Sequence, residues 1–250
     1  NGLNGKPLSE ELDPIEIQSV TRTENGLALR YFTPFSSRNH VVQSRSGAAE
    51  REWMEIEGLR PKDLGEGLFE VEVPAPGDGL GFYQIAAVPP PPIFFDDFES
   101  GAPGWTHGGA KDEWELGRPS NGPGAPASGD HVYGTDLDGD FEPFSEAFLR
   151  SPEIDLTEVS VANLRFSEFH SVDAEIDFHS VVVNVIDPKS NVVIQEVFRA
   201  AGATSGWTPR TIRLAGDAVG GVVKIEFLLI TDEFNPLPGF YIDDVEVREN

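Results

Sequence analysis

The sequence predicts an all-β chain: a small β-sandwich followed by a larger jelly-roll β-sandwich. Three observations predict it. Short runs of alternating or continuous apolar residues recur along the whole chain, as in "LFEVEV" and "SVVVNVI". The 26 glycines and 20 prolines punctuate them closely, which favours short strands over helices. Four consecutive prolines, Pro89 to Pro92, then divide the strand-rich stretches into two groups.

Upstream of the prolines, residues 1–88 hold "IEIQSV", "GLALRYF", "HVVQSR", "GLFEVEV" and "GFYQIAAV". Asn25-Gly26 and Asp78-Gly79 are read as turns, the first of a hairpin in "TENGLAL". "EREWMEIEGLR" fits either a strand carrying Trp53 and Ile56 or one helical turn. About five to seven short strands make a small sandwich. This half resembles the fibronectin-III-like or immunoglobulin-like spacer modules found beside exported enzymes and adhesins, through its strand number and its closing "FYQIAAVP". Residues 89–92 are the linker, a semi-rigid spacer because proline cannot donate to a ladder.

Downstream, residues 93–250 hold "ANLRFSEFH", "HSVVVNVID", "NVVIQEVF", "TPRTIRLAG" and "VVKIEFLLITD". "SVVVNVI" and "KIEFLLI" are apolar nearly throughout, as expected of strands covered on both faces. "DLTEVSV" has room for one helical turn at most. Two antiparallel sheets in a jelly roll are the natural architecture.

Composition narrows the function. A formal net charge of -25, with 43 Asp and Glu against 18 Lys and Arg, is unsuited to nucleic acid. Bound divalent cations would relieve the self-repulsion, although solubility alone accounts for most of these acids. Cysteine is absent, so any covalent-like staple would have to be a metal. No apolar run is long enough to insert in a membrane. A chain beginning at Asn1 is expected to be a mature or excised piece of a longer protein.

The adjacent acids in "PGFYIDDVEV" pose a physical question. Neighbours on a strand point to opposite faces, so either Asp243 or Asp244 should face inward, and a buried carboxylate needs a partner. The guess from strand phase is Asp244. In a jelly roll the first and last strands often lie close together, which would bring Asp96, Asp97 and Glu99 toward Asp243 and Asp244. Calcium takes six to eight oxygen ligands and would relieve such a cluster. The bland alternative is one solvated aspartate and one that binds a loop. "TDLDGDF" is a second candidate, with Asp136, Asp138 and Asp140 alternating and Asp130 as a further donor. It is not an EF-hand, because Gly139 stands fourth and Ala147 twelfth. An acidic turn explains it equally well. Asp232, Asp173, Glu175 and Asp177 are read as loop carboxylates.

Four phrases in order, "DDFESGAPGW", "DEWELGRPSNGPGAPASGDHVYGTDLDGDF", "LRSPEIDLTEVSVANLRFSEF" and "ITDEFNPLPGFYIDDVEV", resemble the MAM-like jelly-roll modules of the cleaved-adhesin and immune-inhibitor-A type. The shared marks are Phe98-Glu99, Trp114 with Gly117-x-Pro119, Ser151-Pro152 with Ile154-Asp155-Leu156, and Ile242-Asp243-Asp244-Val245. The resemblance implies a non-catalytic module with structural Ca2+, appended to secreted bacterial peptidases, adhesins and surface proteins. Asp97, Glu99, Asp136, Asp138, Asp243 and Asp244 are its expected metal ligands here. The cysteines of the eukaryotic members are missing, which makes the bacterial members the nearer parallel.

No catalytic signature stands out. G-x-S-x-G and H-E-x-x-H are absent, and His40, His107, His131, His170 and His179 are scattered. Sugar-binding sandwiches use exposed rings, for which Trp105, Trp207, Phe234 and Tyr241 are the candidates, each with loop or core packing as the rival reading. The expected role is an extracellular or cell-surface binding and adhesion module for a polysaccharide or cell-surface protein. Self-association as a stalk or filament unit, or service as an accessory domain of a secreted peptidase, is the alternative.

Overall fold

The computed structural model describes residues 15–33, 39–45, 47, 52–75, 82–88, 90–175 and 178–249. Asp78-Gly79, Pro89 and Asp177 lie outside them. The chain forms two compact units, Asn1–Pro90 and Pro91–Asn250. Among the described residues the regular structure is strand throughout, apart from a single 3-10 turn at Gly216–Ala218, and no helix is long and apolar enough to cross a membrane.

The first unit is a β-sandwich. Strands β1 (Glu16–Arg22), β2 (Gly26–Phe32), β5 (Lys62–Gly65) and β6 (Leu68–Pro74) form one antiparallel sheet in the order β1-β2-β6-β5. Strands β3 (Asn39–Arg45), β4 (Met54–Glu55) and β7 (Phe82–Val88) form the other, in the order β4-β3-β7. The segment around Trp53 is therefore a short strand rather than a helical turn. Alternation in β2 and β6 places Leu29, Tyr31, Phe69, Val71 and Val73 in a core closed by Val42 from β3. Thr23 closes the first hairpin, its N–H donating to the Gly26 carbonyl. Gly26 itself begins β2, where a Cβ would lie 2.0 Å from the Val73 carbonyl oxygen, so close strand approach demands glycine there.

The second unit is the larger sandwich. Its strands are β8 (Phe94–Asp96), β9 (Thr106–Ala110), β10 (Trp114–Gly117), β11 (Val132–Thr135), β12 (Glu146–Arg150), β13 (Ile154–Asp155), β14 (Val161–Ser171), β15 (Ser180–Ile186), β16 (Val193–Ala200), β17 (Thr208–Ala215), β18 (Val222–Ile230) and β19 (Gly239–Glu249). One sheet runs β10-β11-β19-β14-β17, with β8 also on β19; the other runs β16-β15-β18-β12-β9, with β13 also on β18. Successive strands cross repeatedly between the sheets, as a jelly roll requires.

The inward positions of both sheets make one core. Ala162, Leu164 and Phe166 of β14 and Phe240, Ile242, Val245 and Val247 of β19 meet Val181, Val183 and Val185 of β15 and Ile225, Phe227 and Leu229 of β18. All seven residues of β15 are buried, as its continuous apolar run predicts.

β19 organises the sheet that carries it. β14 lies along one edge for its whole length, while the other edge is shared: β11 pairs with Tyr241 and Ile242, and β8 pairs with Val245 to Val247. Asp243 and Asp244 fall in the gap between β11 and β8. On the β14 side, Ser167 stands opposite Asp243 and Arg165 opposite Glu246, so Phe166 faces the extra residue of a β-bulge. Asp244 takes the left-handed conformation (φ 51°), which Asp tolerates better than most residues. The bulge resets the strand's phase, and Ile242 and Val245 both reach the core while the aspartates between them do not.

Phe227 is fully buried, with the rings of Phe166, Phe240 and Trp105 at 5.2, 6.1 and 6.3 Å. Phe227→Ala should destabilise the second unit by about 3–5 kcal/mol, through lost burial and a residual cavity. Phe95 is 51% exposed, and Phe95→Ala should change stability by less than about 0.5 kcal/mol. Urea denaturation of the two variants checks the contrast.

Candidate functional site

The gap in β19 is filled by the segment that leads into β11. Asp243 is fully buried, and its partners are backbone amides. Ala127 N–H and Ser128 N–H both donate to Oδ2 at 3.0 Å, and Asp244 N–H donates to Oδ1 at 2.8 Å. Ser128 Oγ donates to Asp244 Oδ1 at 2.8 Å. Glu99, two residues beyond the pair Asp96-Asp97, grips the same segment further along. Its Oε1 accepts from Asp130 N–H at 2.8 Å and His131 N–H at 2.7 Å. Gly129 sits between these two grips with φ 54°, and a Cβ there would meet the Glu99 carboxyl carbon at 2.4 Å. Three acids from the two ends of the unit thus hold one five-residue segment, 127–131.

The phase guess for this strand is corrected: the fully buried acid is Asp243, and neither aspartate joins the core between the sheets. Asp243 shares the opposite face of β19 with Tyr241, because the bulge moves the core positions from 242 to 245. Burial pushes the Asp243 carboxyl up to about 6, assisted by the neighbouring Asp244 charge and opposed by the amides it accepts from. The two amides of Asp130 and His131 hold the Glu99 carboxyl below its usual range. Asp97 turns to its own loop, accepting from Glu99 N–H at 3.2 Å. Asp96 accepts from Phe98 N–H and from the Trp105 indole at 2.9 and 2.8 Å.

A second acidic group lies at the other end of β11. Oxygens of Glu115, Asp136 and Asp138 all lie within 4.8 Å of one another, and among the described residues this is the group of three acids that does so. Register builds it: Glu115 of β10 stands opposite Gly134, next to the end of β11, from which Asp136 and Asp138 follow. Leu137 N–H donates to Glu115 Oε1 at 2.6 Å, and Tyr241 Oη donates to the Asp136 carbonyl at 2.9 Å. An open cleft of about 310 Å³ adjoins it, lined by Glu113, Trp114, Glu115 and Asp136. Burial raises the Asp136 carboxyl, and the Asp138 side chain adds to that. Burial likewise raises Glu113, with the Asp136 and Glu142 charges contributing. An all-oxygen donor set of this kind suits a hard cation such as Ca2+ rather than zinc or copper. Glu115 was not singled out in the sequence, where it reads as one more polar position in "DEWELG". Asp140 is drawn elsewhere, accepting from Asn121 Nδ2 at 3.1 Å.

The four rings expected to meet sugars divide. Trp105 and Tyr241 are corrected: both are buried, at 7% and 0% exposure, and present no face to solvent. The turn at Ala102–Trp105 sends the Trp105 ring inward against Phe98, Tyr133 and Phe227. Tyr241 lies against Gly122 and Gly134 beneath the segment before β11, where any side chain at either glycine would strike its ring. Trp207 is half-buried, edge-on to Phe169 and donating to the Ala125 carbonyl at 2.7 Å. Phe234 is 59% exposed. Trp114, read from sequence as a packing residue, is buried and donates to the Ala147 carbonyl at 3.1 Å.

Four of the five histidines lie beside single acids. His107 meets Asp112, His131 Glu99 and His179 Asp232, while His170 lies 3.5 Å from Glu168. Among the described residues, none of these four rings shares a hydrogen bond with a Ser or Thr hydroxyl. Glu168 is a fully buried acid that sequence reasoning missed. It continues the inward series of Leu164 and Phe166, where Arg210 Nε donates to it at 2.7 Å.

No protein-family model matches the chain. It is 33% identical over 153 residues to Bacillopeptidase F of Bacillus subtilis (strain 168), a match covering 61% of this chain and 10% of that protein. The chain thus spans a tenth of the curated relative it matches. Among solved structures, the K1 cleaved adhesin domain of Lys-gingipain from Porphyromonas gingivalis W83 is similar at a TM-score of 0.47 and 16% identity, covering 63% of this chain and 98% of that one. A CBM22 xylan-binding domain from Paenibacillus barcinonensis is similar at a TM-score of 0.37 and 13% identity, covering 64% of this chain and 94% of that one.

The Asp243 environment has a pH signature. Its folded carboxyl, at about 6, lies above the unfolded value near 3.9, so the folded state binds this proton more tightly. The resulting stabilisation is complete below about pH 4 and is lost as pH rises through 6. In chelating buffer, wild type minus Asp243→Asn should therefore fall by on the order of 2 kcal/mol between pH 4 and pH 7.5. Urea denaturation at the two pH values measures it, and a pH-independent difference would contradict the assigned shift.

Proposed function

We propose that this chain is a non-catalytic, extracellular binding segment by which a larger secreted protein, such as a peptidase, holds a polysaccharide. The observation that carries the reading is the match to a tenth of Bacillopeptidase F. A segment of that proportion in a peptidase supports an accessory role. Incubating the full chain with soluble xylan, β-glucan and galactan, in affinity electrophoresis, tests the binding. Retarded migration on at least one polymer without release of reducing sugar is expected, and unretarded migration on all three would overturn the reading.

Calcium belongs to the same proposal. The fit is best at Glu115, Asp136 and Asp138, where oxygens of three carboxylates lie within 4.8 Å of one another, with one amide on Glu115 and one on Asp136. Around Glu99 and Asp243 the closest groups are N–H donors, which already satisfy these acids and suit a cation poorly. Ca2+ bound at the first group would neutralise its mutual repulsion and join β10 to the segment after β11. At a concentration one hundred times its Kd, Ca2+ should stabilise the fold by about 2.7 kcal/mol, visible as a raised melting temperature. Asp138→Ala should abolish that rise while Asp97→Ala leaves it intact; the converse would return the ion to the chain ends.

A second reading, self-association, is favoured by one feature. β16 is an edge strand, and Val193 and Ile194 at its start, with Val192 just before it, are 47%, 37% and 62% exposed. Concentration-dependent sedimentation of the full chain, abolished by Val193→Lys, would favour that role.

A further inference from the structure

Among the described residues of the second unit, four phenylalanines are exposed: Phe95, Phe144, Phe178 and Phe234. One exposed ring is ordinary, but three of these four gather about a single residue, Asp232. Phe144 N–H donates to the Asp232 carbonyl at 2.8 Å, and Phe234 N–H donates to Asp232 Oδ1 at 2.8 Å. Phe178 precedes His179, whose Nε2 lies 2.7 Å from the same Oδ1. Register explains the gathering. Ile230 at the end of β18 stands opposite Glu146 at the start of β12 and Ser180 at the start of β15. The loops before β12 and β15 and after β18 therefore meet at one end of the sandwich. There Phe144, Phe178 and Phe234 are 59%, 55% and 59% exposed.

This end is braced beneath the rings. Ser145 and Thr231 are buried and exchange two bonds: Thr231 N–H donates to the Ser145 carbonyl, and Ser145 N–H donates to Thr231 Oγ1, both at 2.9 Å. Asn235 Nδ2 donates to Asp173 Oδ2 at 2.7 Å, which ties the loop of Phe234 to that of Phe178. Phe144 itself takes the left-handed conformation, with φ 60°, which is unfavourable for a bulky residue. The ring gains no burial in return for that strain, and Asn would adopt the conformation more readily. Packing therefore does not account for Phe at this position, whereas presentation of the ring to a partner does.

The surroundings of the rings narrow the partner. The loops at 142–145, 173–179 and 231–238 carry Glu142, Asp173, Glu175, Asp232 and Glu233 among the described residues, and neither Lys nor Arg. Lys111, just after β9, reaches only Glu142. Apolar rings set among acids are complemented by apolar side chains set among bases. A second copy of this chain would bring the same acids against them, and anionic lipid would be repelled by a net charge of -25.

We propose that the Phe144, Phe178 and Phe234 end of the second unit docks a basic amphipathic segment of another polypeptide. The rings take its apolar side chains and the surrounding carboxylates take its Lys or Arg. Asp232 is the positioning residue that holds the three loops together. This contact is separate from the polysaccharide reading, which its failure would leave standing.

Fluorescence anisotropy of a labelled peptide of alternating Leu and Lys, added to the full chain at physiological ionic strength, tests it. A Ser–Lys peptide of equal length and charge is the control, and it should bind at least about tenfold more weakly. Phe144→Asn and Phe234→Ser should each weaken Leu–Lys binding about tenfold, while Phe95→Ser leaves it unchanged. Phe144→Asn should melt no lower than the unaltered chain, so its loss of binding cannot be attributed to unfolding. Equal binding of the two peptides, or binding indifferent to Phe144 and Phe234, would overturn the proposal. Three other results would also overturn it by giving the rings a different occupant: phosphatidylcholine vesicle binding, self-association, or polysaccharide retardation, in each case lost in both Phe144→Asn and Phe234→Ser.

Discussion

The second unit depends on how one strand accommodates two adjacent acids. β19 is the only element in its sheet that must pair with three others, β14 along one edge and β11 and β8 on the other. Where β11 ends and β8 begins, the strand's amides and carbonyls would be left without a ladder partner. The bulge at Asp244 and the two carboxylates resolve this together. The acids carry acceptors out to a segment whose N–H groups lack a strand partner, and Asp243 also accepts from the Asp244 N–H within the gap itself. A buried acid is tolerated because three N–H groups point at it.

That junction also determines what can lie above it. Once Ala127 and Ser128 are fixed by Asp243, and Asp130 and His131 by Glu99, the chain before them must cross the outer face of β19. It covers Tyr241 there, and Trp207 holds it through the Ala125 carbonyl. Tyr241 passes the constraint on, since its hydroxyl donates to the Asp136 carbonyl beside the three-acid group. The two acidic clusters are thus linked through one ring and one segment. A metal at Glu115, Asp136 and Asp138 would reinforce a connection that neutral hydrogen bonds already make.

Much of this was legible in the amino-acid sequence. Alternation in "LFEVEV" and the unbroken apolar run of "SVVVNVI" announced β6 and β15, and the approach of the first and last strands followed from the jelly-roll topology. Local pattern carried those because each depends on neighbours one or two positions away. The bulge did not announce itself, since "IDDV" reads equally as an unbroken strand and only the competition of β8, β11 and β14 for β19 forces the extra residue. Glu115 was invisible for a similar reason: it joins Asp136 and Asp138 through the register of β10 on β11, which no local spacing encodes. Trp105 misled because a loop glycine before an aromatic marks a turn but not the side of the sheet to which the turn delivers the ring. Glu168 stayed hidden in "LRFSEFH", where its alternation matches a core position and its chemistry does not.

The few acids that leave the surface show how this chain accommodates a buried carboxylate. Most of the 43 acids lie at the surface, and among the described residues the buried ones are Asp243, Glu168 and Glu226, each with at least one carboxylate oxygen held by a donor. Asp243 is met by amides, Glu168 by Arg210, and Glu226 by Arg150 and Asn184. With only 18 Lys and Arg available, guanidinium pairs serve where the acid lies within a sheet and an opposing strand can supply Arg. Backbone amides serve at the gap, where no strand is present to carry a side chain. The three-acid group differs in having carboxylate oxygens from three residues within 4.8 Å of one another. There too backbone amides meet the acids, Leu137 N–H at Glu115 and Asp138 N–H at Asp136, but burial and the nearness of Asp138 still raise the Asp136 carboxyl, so the amides offset the crowding of charge only in part.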